Sequence, residues 1–274
     1  MKKHMSYPIL SVELKRGFKG NMIWSIALGL SLLLIIAIYP MVKDMMASLV
    51  ELMESMDPSN PFLQILEDFG GIPHSAIEYF ATEGALILQL VGGIYAAILG
   101  YSMINRDEKE KTNEVLYTLP ISRTQSFISK VIAIMIHIFI FTFIQFGLST
   151  LGFLIIDELV LLDVFWLFGL LNFVMFTMIA CFGLCLAAIL KPNQSSLLAV
   201  AIPFPFYIIT MISQATNNSF LKALKYISPF TFAEPVGFLK TDHGFEWINF
   251  IVFIVITCIF VWVSHVKYKT RQII

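Results

Sequence analysis

The chain has 274 residues, of which 58% are hydrophobic and only 14% are charged. Soluble domains are about 45–50% apolar and about 25% charged, and a water-soluble fold of this size could not bury so much apolar surface. The composition therefore excludes an ordinary soluble protein and predicts an integral membrane protein. The net charge of −1 does not indicate any class of partner.

The first segment of the chain combines basic residues with an apolar stripe. Ile9, Leu14 and Phe18 fall near one side of a helix. The basic residues Lys15, Arg16 and Lys19 can face water or lipid phosphates. This pattern predicts a short amphipathic elbow helix that lies in the membrane interface ahead of the first span. An irregular basic tail is the alternative.

Six apolar segments are long enough to cross a bilayer, which takes about 20 residues in a helix. None carries an acidic or basic residue near its centre, where each would cost about 2.5–3.5 kcal/mol. No signal-peptidase site follows the first segment, so we expect it to be retained. The predicted spans are about 21–42, 83–104, 129–156, 164–190, 196–214 and 247–265. Gly92, Gly93 and Gly100 should let the second of these spans pack closely.

Lysine and arginine predict the orientation of these spans. With the N-terminus in the cytosol, fourteen of the eighteen Lys and Arg residues lie on the cytosolic side, as the positive-inside rule requires. We therefore predict an all-α membrane protein with one transmembrane domain over residues 1–274. Both of its termini are expected in the cytosol.

Two sizeable segments, 43–82 and 216–246, are predicted outside the membrane. Residues 45–56 have the apolar periodicity of an amphipathic helix, which either covers the outer mouth of the protein or rests on the membrane surface. In the second segment, Pro229 and Pro235 divide an apolar stretch. Short re-entrant or interfacial helices are expected there, because bare backbone cannot face lipid.

The charged segment 105–123 connects the second and third predicted spans on the cytosolic side. Its first part lacks Gly and Pro and predicts a helix with an i, i+4 ion pair between Arg106 and Glu110. Pro120 ends this helix. The apolar residues at its tip are Val115, Leu116 and Leu119.

The chain then turns back towards the membrane. Ser122 and Gln125 have the spacing of a capping box, which predicts the start of the next helix. The segment is thus expected to form a helix-turn-helix with an apolar tip that faces the cytosol. Such a tip favours docking of another protein over a merely solvated connector.

The stretch "RDEKEKTNEVLYTLPISRTQSFISK", from Arg106 to Lys130, resembles the characteristic loop of type 2 ABC exporter permeases. In that family a charged run precedes G-T-x-E-x-L-x-x-L-P-I-S-R and a span led by Lys. The usual Gly is Lys111 in this chain. The segments "EYFATEGALILQLVGGIYAAILGYSMI" and "LKYISPFTFAEP" are also similar to this family. The matching loop positions are Thr112, Glu114, Leu116, Leu119, Pro120, Ile121, Ser122, Arg123 and Lys130.

The resemblance implies a bacterial cell-membrane permease whose coupling helix, within 105–123, docks onto a separate ATPase subunit. It also implies export, six spans, and a working unit of two permeases and two ATPases. Membrane lipid is the other expected partner. The docking residues that it implies are Asp107, Glu108, Glu110, Lys111, Thr112, Glu114, Val115, Leu116, Leu119, Pro120 and Arg123.

Other functions have little support in the sequence. The sequence has no Walker A motif, so ATP hydrolysis is expected in another subunit. It also has no HExxH or GxSxG motif of a hydrolase. Neither a cofactor nor a nucleic-acid partner is indicated. A secondary transporter usually has carboxylates within its spans, and His137 fits a packing role better than a proton relay. Cys181 and Cys185 could share a helix face around a metal, but buried packing is the simpler interpretation. A non-transporting peptide-immunity or sensor protein of the same fold stays open.

The transport path is weakly marked. Gln89, Gln145 and Asn172 are uncharged polar residues inside predicted spans, where they either line a cavity or bond neighbouring helices. A path without charges suits a peptide, an antibiotic or another amphipathic or hydrophobic compound.

Overall fold

The computed structural model describes residues 7–54, 71–110, 122–158, 161–190, 194–214, 218–239, 245 and 247–270. All regular elements in these ranges are helical. The α-helices are α1 Tyr7–Glu54, α2 Ala76–Lys109, α3 Arg123–Ile155, α4 Leu162–Ile189, α5 Pro203–Gln214, α6 Ser219–Ala223, α7 Pro235–Leu239 and α8 Trp247–Thr270. A π-helical segment, Phe80–Gly84, lies within α2.

Six helical segments are long and apolar enough to cross a membrane, which confirms the predicted number of spans. They are α1 to α4, α8, and α5 together with the 3-10 helix Ser196–Ala201 that precedes it. The chain is therefore a multi-pass membrane protein. Pro203, which opens α5, separates the two parts of the fifth span, since proline suits the first turn of a helix and disrupts its interior.

The first span is much longer than predicted. α1 is one continuous helix of 48 residues, so the prediction of a separate elbow helix is wrong. The helix predicted over 45–56 is present up to Glu54, but it continues the first span instead of standing apart from it. Gly17 and Gly20 lower the helix propensity by about 1 kcal/mol each, but they keep their backbone N–H groups and do not break the helix. The sequence also predicts a second short helix over 62–69 in the same outer segment, and it lies outside the described residues.

α1 and α3 run parallel to each other along most of their length. Three contacts join α1 to α3 or to the turn just after it, with partners separated in sequence by 117, 120 and 115 positions, and a nearly constant offset is the property of parallel helices. The contacts join Glu13 to Lys130, Ser25 to Gln145, and Lys43 to Glu158. The beginning of α1 therefore lies beside the beginning of α3.

α2 and α4 also pack side by side and approach at the level of the backbone. A Cβ atom added to Gly100 would overlap the backbone carbonyl of Ala180, and one added to Gly183 would overlap the carbonyl of Ala97. Small residues permit such close approach between membrane helices. The close packing that Gly100 predicts for the second span is confirmed.

The segment between α5 and α8 folds back against the bundle in short helical pieces. The Oγ1 atom of Thr210 lies 2.6 Å from the Oγ atom of Ser228, which donates to the carbonyl of Phe206 at 2.8 Å. The ring of Phe230 is buried beside Gly93 of α2. The predicted division of this segment at Pro229 and Pro235 is confirmed, because each proline opens a new helical piece.

We expect the substitution Gly100→Ala to destabilise the protein by about 1–3 kcal/mol, because the new methyl group must displace backbone atoms of α4. The matched control is Gly147→Ala on α3, where a Cβ atom meets nothing within 4 Å. The control should be neutral or slightly stabilising, since Ala favours helix over Gly. Thermal unfolding in detergent measures the difference, and equal melting temperatures for the two variants would contradict the close crossing.

Candidate functional site

The predicted docking segment begins and ends at one end of the helix bundle, which we call the charged end. The beginnings of α1 and α3 and the ends of α2 and α8 meet there. Residues 111–121 lie outside the described residues. The predicted docking residues in this gap are Lys111, Thr112, Glu114, Val115, Leu116, Leu119 and Pro120.

The side chain of Lys130, in the second turn of α3, occupies the centre of the charged end and is 0% exposed. Its Nζ atom lies 2.5 Å from the Glu13 Oε1 atom and 2.5 Å from the Asp107 Oδ2 atom. The two carboxylates come from α1 and α2 and are themselves buried. One ammonium group thus joins three helices.

Two arginines extend this centre into a network. Arg16 of α1 contacts Asp107 at 3.0 Å and Glu110 at 3.1 Å. Arg106 of α2 contacts the second carboxylate oxygen of Glu13 at 3.2 Å. We call these side chains the ion network, and its members are Glu13, Arg16, Arg106, Asp107, Glu110 and Lys130.

The ion network contains three acidic and three basic side chains, so its formal charge is zero. Removal of one partner from a buried ion pair costs about 3–5 kcal/mol, because the remaining charge is left without compensation. Removal of the Lys130 charge should destabilise the network most, since water cannot reach this side chain and it contacts two carboxylates. The network therefore fixes the end of α2 against α1 and α3.

Two features of this region differ from the sequence predictions. The pair between Arg106 and Glu110 does not form, because Arg106 reaches Glu13 and Glu110 reaches Arg16. Arg16 was also expected to face water or lipid, but it lies between α1 and α2. In both cases a partner on a neighbouring helix replaces a local or solvent contact, which leaves fewer buried charges uncompensated.

The described docking residues at the end of α2 differ in accessibility. The side chain of Asp107 is 5% exposed and faces α1 and α3, whereas that of Glu110 is 48% exposed at the edge of the network. Glu108 is half-buried. Asp107 therefore connects the docking segment to the bundle, while Glu110 remains open to an approaching partner.

The other end of the docking segment enters α3 through the predicted capping box, which is confirmed. The Ser122 side chain accepts from the Gln125 backbone N–H, and the Gln125 side chain accepts from the Ser122 N–H. These bonds satisfy donors that the first turn of a helix leaves free. The start of α3 is thereby fixed just after the undescribed residues.

The start of α3 also contacts the last turns of α8. A guanidinium N–H of Arg123 donates to the backbone carbonyl of Lys269 at 2.7 Å. The hydroxyl groups of Ser126 and Tyr268 lie 3.1 Å apart. We call these contacts, together with the 3.2 Å contact between Thr124 and His265, the α8 clasp.

The predicted path residues are buried among the helices. Gln145 donates to the carbonyl of Ser25 at 3.0 Å, and Asn172 donates to the carbonyl of Phe168 at 2.8 Å. Gln89 is buried on α2. The bond of Gln145 joins α3 to α1, whereas that of Asn172 lies within α4, and the role of the three residues in a transport path stays a prediction.

His137 and the cysteines are also interior residues. The His137 ring is buried against the backbone of Gly17, in agreement with a packing role. Cys181 and Cys185 are buried as free thiols, whereas Cys258 is exposed on α8. Among the described residues, no group of His, Cys, Asp and Glu is arranged to hold a metal ion.

The ion network was not predicted, although two signals for it exist in the sequence. Glu13 is the only acidic residue in the first 43 positions, within a basic segment. Lys130 directly precedes 26 residues without a formal charge. A lone charge at the edge of a span indicates a partner on another helix, because an isolated charge there is costly.

Comparison with known proteins identifies one family. A family model described as ABC-2 family transporter protein matches residues 7–273, which is almost the whole chain. Comparison with curated proteins gave no match.

We expect Lys130→Met to lower the free energy of unfolding by about 3–5 kcal/mol, because it leaves a negative charge in the buried network. The control is Lys19→Met, since Lys19 is exposed on the same side of the bundle. Thermal unfolding in detergent gives the comparison. The second substitution Glu13→Gln should restore part of the loss, and a Lys130→Met variant as stable as the control would refute the importance of the network.

Proposed function

Because the chain belongs to the ABC-2 family of transporter proteins, we propose that it is the transmembrane permease subunit of an ATP-driven exporter. Six candidate spans over the matched region support this role. A separate ABC ATPase supplies the energy, and the permease forms the path across the cell membrane. Two permeases, identical or different, and two ATPases make up the working unit.

The observation that carries this proposal is the attachment of both ends of the docking segment. The segment leaves α2 beside the ion network and enters α3 beside the α8 clasp. A segment that is moved by an ATPase must transmit this movement to the spans. A loop without side-chain contacts to the helices could not do so. The two attachments give residues 105–123 direct mechanical connections to α1, α2, α3 and α8.

The charged end is assigned to the cytosol in this proposal. The beginning of α1 and the end of α8 lie there, and most of the Lys and Arg residues that the structure describes belong to this side. ATP-driven closure of two ATPases would move the docking segment. The spans would then alternate between inward and outward arrangements by rotation of packed helices.

The cargo is assigned by the chemistry of the surfaces that it could contact. An open groove of about 680 Å³ follows α5 and the 3-10 helix before it, and its lining is apolar. A second cavity, of about 220 Å³, lies between α4, α5 and α8 and is also mainly apolar. These surfaces favour a hydrophobic or amphipathic cargo, such as a peptide or an antibiotic.

A peptide-immunity or sensor protein of the same fold is the alternative function. It would bind its peptide without ATP-dependent movement of solute. Reconstitution of the permease with its ATPase into liposomes separates the two functions, because only an exporter moves a fluorescent amphipathic peptide in proportion to ATP hydrolysis. A secondary transporter would move solute without the ATPase.

We expect Glu114→Arg and Leu119→Arg each to abolish association with the ATPase while the protein still inserts into the membrane. Leu119→Met is the conservative control for the apolar tip, and Lys267→Glu is a control for a charge change elsewhere on the same end of the bundle. Co-purification with a tagged ATPase measures the association. Retention of the ATPase by both Arg variants would reject the docking assignment.

A further inference from the structure

The α8 clasp is a compact set of contacts between two helices that are distant in sequence. Its three polar contacts span four residues of α3 and five residues of α8. Phe127 of α3 adds ring contacts to His265 and Tyr268, with centroid distances of 5.2 and 5.8 Å. Polar and aromatic contacts therefore fix the same two turns to each other.

The contact of Arg123 uses a group that every helix leaves free. The last carbonyls of an α-helix have no partner within the helix and carry the negative end of its dipole. The guanidinium group of Arg123 donates to one of them, the carbonyl of Lys269. A positive charge and a hydrogen bond together stabilise the end of α8 at this site.

The contact between Ser126 and Tyr268 is buried. Both side chains are almost inaccessible to water, and their hydroxyl groups face each other at 3.1 Å. Loss of the Tyr268 hydroxyl would leave the buried Ser126 hydroxyl without its partner in this pair, which is unfavourable for a polar group that water cannot reach. This pair therefore resists separation of α3 from α8.

Outside the α8 clasp, α8 packs against other helical segments of the chain. It is the least buried of the six candidate spans, and its remaining packing is mainly against α4 and the segment Pro229–Ala233. The α8 clasp is thus the place where α8 is joined to the start of α3. Movement at the start of α3 reaches α8 directly only if the clasp holds.

We propose that the α8 clasp is a transmission contact, through which movement of the docking segment is delivered to α8 in addition to α1. Ser126 and Tyr268 are positioning residues in this scheme, because they act through the helices that they join. The inference rests on the proposed function, since it requires that an ATPase move the docking segment. It assigns a role to the last span that neither the family match nor the ion network provides.

The test follows α8 and α1 separately in the permease–ATPase complex. Cys258 is exposed on α8 and accepts a nitroxide label directly. For α1, the label is placed on Ser31→Cys, at an exposed position, in a variant with Cys258→Ala. Electron paramagnetic resonance spectra are compared without nucleotide and after trapping with ADP and vanadate, using the ABC ATPase that copurifies with the wild-type chain.

The expected result distinguishes the two helices. The wild-type complex should show a nucleotide-dependent spectral change at both labels. The double variant Ser126→Ala, Tyr268→Phe should keep the ATPase and the response at residue 31, but lose more than half of the response at residue 258. Ser126→Thr, which keeps the hydroxyl group, and Lys267→Gln, an exposed neighbour of the clasp, should respond like the wild type.

Three outcomes would overturn the inference, and they differ from failure of the proposed function. A full response at residue 258 in the double variant shows that the clasp does not transmit movement. A wild-type complex that responds at residue 31 but not at residue 258 shows that α8 does not move. Equal losses at both labels show that the clasp only supports the fold. If instead the wild-type chain binds no ATPase, the proposed function itself fails.

Discussion

The structure at the charged end depends on one buried ammonium group. Lys130 has no access to water, and two carboxylates from different helices neutralise it. Because an ammonium group without partners could not be buried at this position, Glu13 and Asp107 must both reach it, which fixes α1 and α2 relative to α3. Arg16 and Arg106 then neutralise the remaining carboxylate oxygens. The position of the predicted docking segment follows from this arrangement, since it begins where Asp107 is held.

The packing deeper in the bundle continues the same geometry. α1 stays beside α3 from the ion network to the contact between Lys43 and Glu158 near the opposite end. α2 and α4 are in backbone contact near Gly100, where no side chain fits between them. Two closely packed helix pairs are thereby joined at the charged end through α2. A displacement imposed there is carried by whole helices, because packed interiors deform little.

The sequence was sufficient for features that depend on local chemistry. The six spans follow from the length of apolar segments, the start of α3 from the capping box at Ser122, and the close crossing from Gly100. Features that depend on which side chains of another helix lie nearby were wrong or missed. An amphipathic segment can lie on a membrane surface or continue a span. The first turns of α1 continue the span, because Glu13 and Gly17 contact α3, and the sequence pattern does not encode these contacts. The partner of Arg106 depends likewise on interhelical distance, which periodicity does not encode.

The two attachments of the docking segment differ in how they respond to displacement. In the ion network Lys130 and Arg16 each contact two carboxylates, so a small shift can lengthen one contact and keep the other. Coulomb attraction also falls slowly with distance. The α8 clasp instead relies on hydrogen bonds, such as that from Arg123 to the carbonyl of Lys269, which weaken steeply with distance and angle. Under the proposed function, the network keeps α1, α2 and α3 together throughout a transport cycle, whereas the clasp either carries α8 with the docking segment or releases it.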